Sequence, residues 1–93
     1  MVLNKESVVD RAKQDLAERL KVSESEIEKH SVNDQEFPDM SLGAPAKGEM
    51  SAQMISNGWR IMLRSGGKDY EYRGDKYQLR LVNFGGANHV VVS

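Results

Sequence analysis

Ninety-three residues with 39% hydrophobic and 29% charged side chains, a net charge of −1 and no cysteine fit one globular domain with a single modest core. They exclude disulfides, thiolate metal sites and cysteine nucleophiles. Apolar runs stop at lengths such as Val90-Val91-Val92, too short to cross a membrane, and the N-terminal residues lack the basic-then-apolar pattern of a secretory signal, so the cytoplasm is the expected compartment.

The first predicted element is a helix capped by Asn4 or Ser7. Val9, Ala12, Leu16 and Leu20 recur at steps of three and four, which places one apolar stripe toward a core and leaves Lys13, Asp15, Glu18 and Arg19 to water. The helix should stop near Leu20 or Lys21. Ser23-Glu24-Ser25-Glu26 has the serine and glutamate of a capping box and predicts one short turn. From Ile27 to Phe37 the alternation is weak, with Ile27, His30, Val32 and Phe37 as inward or half-buried candidates. Those four cannot share a face without a phase shift, so a bulge is expected.

A long irregular segment follows, Pro38 to Asn57, fixed by Pro38 and Pro45 and punctuated by Gly43 and Gly48. Beyond it Trp59, Ile61 and Leu63 alternate with Arg60, Met62 and Arg64, the period of a half-buried strand. Ser65-Gly66-Gly67-Lys68 reads as a tight hairpin turn. Tyr70 and Tyr72 alternate with Asp69, Glu71 and Arg73; Gly74-Asp75 marks another turn; and Lys76 to Phe84 returns with Tyr77, Leu79 and Leu81 on one face. The predicted fold is therefore α+β, one N-terminal helix packed on a three- to four-stranded antiparallel sheet with a long ordered loop. A single domain would occupy residues 1–84, with 85–93 either a flexible tail or a short added strand.

Charge is distributed unevenly, about −4 over residues 1–46 and about +3 over 47–93. Arg60, Arg64 and Arg80 on the outward strand face form a candidate anion-binding surface, although the pI of about 6.1 argues against nucleic acid as its partner. His30 and His89 stand apart, so no metal and no cofactor are expected. Ser41 lacks a base placed to activate it, and Asp39 after Pro38 suits a turn carboxylate that accepts loop amides. Met54 and Met62 are expected to fill core, and Met40 and Met50 to be exposed. Trp59 should anchor the core beneath the loop, with a platform of Trp59, Tyr70 and Tyr72 as the alternative.

Phe37-Pro38-Asp39, Ser41-Leu42-Gly43, Pro45, Gly48, Gly58-Trp59-Arg60-Ile61 and Tyr70-Glu71-Tyr72 together resemble the signature of a group of small bacterial domains without an assigned function. In that group an aromatic-Pro-Asp and a Ser-Leu-Gly-Cys-Pro loop precede a Gly-aromatic-Arg-Ile strand and a Tyr-x-Tyr strand. The resemblance runs from about Val9 to about Val82. This chain departs from it at Ala44, in the cysteine's place, and at Arg73, where a histidine often stands; redox or metal chemistry resting on those residues would be absent here. The element order is also similar to PepSY and cystatin-like domains, a resemblance that implies peptidase inhibition.

The expected function is a non-enzymatic protein- or peptide-binding module, in concrete form peptidase-inhibitor-like. The 38–57 loop would present Asp39, Met40, Ser41, Leu42, Gly43 and Pro45 as a preorganised wedge. The alternatives are a small-ligand-binding protein or small enzyme using Asp39, Ser41 and the sheet tyrosines, and a nucleic-acid binder using Arg60, Arg64 and Arg80.

Overall fold

Asn4 begins the helix through a reciprocal capping box. Its side-chain oxygen accepts from the Ser7 amide at 2.8 Å, and the Ser7 hydroxyl accepts from the Asn4 amide at 2.9 Å. The computed structural model describes residues 2–93. In it α1 spans Lys5–Leu20, and Lys21 closes it in the left-handed conformation with φ 57°. Asn4→Ala should cost about 1 kcal/mol and lower the melting temperature by about 4–8 °C in thermal circular dichroism.

Val9, Ala12 and Leu16 are buried along the predicted stripe, and Val8 and Ala17 widen it. Asp15 departs from its predicted place in water. It is buried, and its Oδ2 accepts from Arg19 Nε at 2.7 Å and from the Tyr72 hydroxyl at 2.7 Å, so the polar group enters the core with its partners. Burial, and then the bond to Asp15, push the Tyr72 phenol far above its ordinary range and keep it a donor.

After a single 3-10 turn at Glu24–Glu26 come β1 (Glu28–Phe37), β2 (Ser56–Ser65), β3 (Lys68–Gly74), β4 (Leu79–Phe84) and β5 (Ala87–Val92). They form one sheet in the order β1-β2-β3-β4-β5, every neighbouring pair antiparallel. The sheet thus has five strands where three to four were predicted. The fifth is the short added strand that was one of the two readings of residues 85–93: Gly85 and Gly86, at φ 62° and 82°, repeat the hairpin geometry of Gly66 and Gly67 at 58° and 79°. The register of β1 shifts between Lys29 and Ser31, the expected bulge, but His30 is exposed there rather than inward.

A second correction concerns the start of β4. The Asp75 carboxylate accepts from the amides of Tyr77 and Gln78 at 2.8 and 3.0 Å, and the Asp75 amide donates to the Gln78 carbonyl at 3.0 Å. This holds residues 75–78 in a turn. The strand begins only at Leu79, and Tyr77 is exposed instead of sharing a face with Leu79 and Leu81.

The sheet has two covered faces. Ile61, Leu63, Tyr72, Leu79 and Leu81 pack against α1, flanked by Val32, Trp59 and Tyr70. Trp59 therefore joins the core on the helix side and not beneath the loop. On the other face the register sets Arg60 opposite Arg73 and Arg73 opposite Arg80, a row of three guanidinium side chains across β2, β3 and β4. No helix among the described residues is long and apolar enough to cross a membrane.

Candidate functional site

Three like charges abreast on one sheet face repel unless something neutralises them. Glu71, on β3, takes Arg60 Nε at 3.0 Å and Arg73 Nε at 2.7 Å on the same oxygen. The rest of the neutralisation comes from the 38–55 segment, which folds back over the row. Arg73 Nη1 donates to the Leu42 carbonyl at 2.9 Å, and Arg80 Nη1 donates to the Ala44 carbonyl at 3.1 Å. Glu49 meets Arg80 through both carboxylate oxygens, Nη2 to Oε2 at 2.7 Å and Nη1 to Oε1. Two further polar side chains, Gln78 and Asn88, donate to the Met40 and Pro45 carbonyls at 2.6 and 3.0 Å.

Inside the loop Asp39 performs the turn role its sequence context suggested. Its Oδ1 accepts from the Ser41 hydroxyl at 2.7 Å, the Ser41 amide at 2.9 Å and the Gly43 amide at 3.0 Å. The Ser41 hydroxyl bond, then the Gly43 amide, hold its carboxyl below the ordinary aspartate value. Leu42, a non-glycine residue, sits at φ 59°, a conformation that costs about 1–2 kcal/mol. Its fully buried side chain and the Arg73 bond on its carbonyl offset that strain. The amide of Met40 donates to the Ala52 carbonyl at 3.0 Å and ties the two arms of the loop together.

The predicted site residues therefore divide. Ser41 and Leu42 are buried, as is Ala44 between them and Pro45, so they hold the loop down and do not project. Gly43, Pro45 and Met40 are exposed, while Asp39 is half-buried. Arg80, expected on an outward face, is only 5% exposed; Arg60 is paired with Glu71 and Arg64 with Asp69 at 2.7 Å. Asp39 and Ser41 lie on the loop side of the sheet, whereas the Tyr72 hydroxyl is bonded to Asp15 on the helix side. His30 on β1 and His89 on β5 occupy opposite edges.

What the sequence reading missed is an apolar groove at the base of the loop. Met40, Met54, Ile55 and Tyr77 are 48, 61, 66 and 69% exposed. They line one open groove of about 340 Å³ together with Ser56, Asn57, Asp75 and Lys76. The Leu3 amide donates to the Lys76 carbonyl at 2.7 Å, which brings the N-terminal segment alongside. Met54, expected in the core, belongs to this surface; Met62 is half-buried, and Met40 and Met50 are exposed as expected. The available signal was Tyr77, three residues after Gly74 and in a turn chemistry that Asp75 imposes.

No curated protein and no solved structure matches the chain. A family model described as a domain of unknown function, DUF8738, matches residues 9–82, from the first helical stripe residue to the end of the Glu71–Val82 pairing. Residues 9–20 of α1, the 38–55 segment, all of β1, β2 and β3, and β4 as far as Val82 fall within that match, and the chain belongs to the DUF8738 family.

Proposed function

We propose that this domain is a non-enzymatic module that binds a protein or peptide through the groove of Met40, Met54, Ile55 and Tyr77. The observation that carries this reading is four large apolar side chains, each about half exposed or more, gathered around one concavity. Such a cluster is unfavourable in water unless a partner covers it. Two of the four are methionines, whose unbranched side chains repack around varied apolar groups. The loop clamp supports the reading, because a groove wall fixed before binding loses less entropy when it is occupied. The wedge version, with Ser41 and Leu42 as contacts, is replaced: those side chains face inward.

The test is capture from lysate with the wild-type chain, a Met54→Asp, Tyr77→Asp variant and an Arg60→Glu, Arg64→Glu variant. A partner should be retained by the wild type and the arginine variant and lost by the groove variant, whose melting temperature should be unchanged because both positions are exposed. Retention by the groove variant, or loss only with the arginine reversal and a steep salt dependence, would move the working surface to the strand face.

A further inference from the structure

The groove does not end at Tyr77. Asn57 and Lys76 line it and also line a second recess of about 460 Å³ that runs past Gly58 to Trp59, Asp34 and Glu36. In the β1–β2 ladder Asp34 lies opposite Trp59 and Glu36 opposite Asn57. Alternation along both strands then places the two carboxylates beside the half-buried indole on one face. Among the described residues the one ion pair of Asp34 is with Lys5, at 3.6 Å, with both side chains more than half exposed, a pair too weak to exclude a competitor. Glu36 pairs with no base among the described residues. Lys76 stands at the junction of the two recesses and disfavours a cation there, which gives the cleft a polarity: apolar at one end, cation-attracting at the other.

We infer that the partner segment is an extended peptide carrying an apolar residue and, about four positions away, an arginine or lysine that lies on Trp59 between Asp34 and Glu36. This rests on the groove being a peptide site. The spacing follows from the chain itself: Ile55, in the apolar groove, and Trp59, in the second recess, are four residues apart, about 13 Å at the rise of an extended chain, and an extended peptide laid alongside has nearly the same rise. An indole face with flanking carboxylates attracts a cation by its quadrupole as well as by charge. An acidic residue at the same peptide position would instead face two like charges.

The experiment titrates the isotope-labelled full chain with two acetylated, amidated pentapeptides, Leu-Ser-Gly-Ser-Arg and Leu-Ser-Gly-Ser-Glu, and follows the Met54 methyl, the Ile55 amide and the Trp59 indole N–H. Both peptides should move Met54 and Ile55. Only the arginine peptide should move the indole, and it should bind about fivefold or more tightly at low salt. Glu36→Lys, at an exposed edge-strand position, should abolish that preference. Equal affinities with shifts at Met54 and Ile55 would overturn the inference and leave the groove reading standing. No shift at Met54 or Ile55 with either peptide would overturn the groove reading and the inference together.

Discussion

Gly58→Ala is expected to cost about 4 kcal/mol or more, enough to unfold much of the population of a domain this size. A Cβ added at Gly58 would lie 2.1 Å from the Gly74 carbonyl oxygen and 3.1 Å from the Asp75 Cβ. Its obstacle is backbone of the adjoining strand, which cannot turn aside as a side chain can. Gly74 offers a comparison. There the nearest atom would be Val8 Cγ2 at 2.6 Å, the end of a side chain on α1. Gly74→Ala should therefore cost less, and Val8→Ala in the same chain should recover part of the loss despite the cavity it leaves elsewhere. Urea denaturation of the three variants measures both effects. Equal stability of Gly58→Ala and the wild type would mean that β2 and β3 do not approach as described.

Glu49→Ala should cost about 2–4 kcal/mol, between the values for exposed and for buried ion pairs, because the Glu49 side chain is 29% exposed and that of Arg80 only 6%. The removal strands a buried guanidinium with one loop carbonyl and Gln78 for partners. Arg80→Met should cost less, since it removes the buried charge and leaves Glu49 free to turn to water. A pH dependence accompanies this pair. The Arg80 hydrogen bonds, then the Ala46 amide, bring the Glu49 carboxyl from 4.5 down to about 2. A carboxyl depressed on folding stabilises fully above its unfolded value and loses that contribution as pH falls toward the folded one. Wild-type stability should consequently fall more between pH 5 and pH 2 than that of Glu49→Gln, with the two curves converging at the acid end. Parallel curves would show that Glu49 does not titrate against Arg80.

The parts of the fold that were legible in the sequence are those set by neighbours in the chain. Asn4 with Ser7, the three-and-four spacing of Val9, Ala12 and Leu16, and the paired glycines at 66 and 67 each act within a few residues. β5 was half legible, since Gly85-Gly86 carries the same turn signal, but six uncharged residues with two register irregularities present no clean alternation. Asp15 was unreadable for a different reason. Its burial depends on Tyr72, 57 residues away, whose hydroxyl supplies the partner that makes a carboxylate tolerable there.

The candidate site shows the same division more sharply. Asp39 as a loop carboxylate followed from Pro38-Asp39 and its near neighbours, all bonds within four residues. The clamp did not follow, because Arg73 reaches Leu42 across 31 positions, Arg80 reaches Glu49 across 31 and Asn88 reaches Pro45 across 43. Alternation placed Arg60 and Arg80 correctly on the face away from the helix, but it carries no information about whether a loop covers that face. The inward turn of Leu42 is hidden as well, because a buried non-glycine residue at φ 59° is held by tertiary bonds and not by propensity.

The most direct measurement is the amide relaxation of the loop in the free protein. If the arginine row and Asp39 hold the loop against the sheet and so fix one wall of the groove, amides from Asp39 to Glu49 should give order parameters near 0.85, as rigid as β2 and β3. Values below about 0.6 across that stretch, with rigid strands on either side, would contradict the clamp and with it the preformed groove.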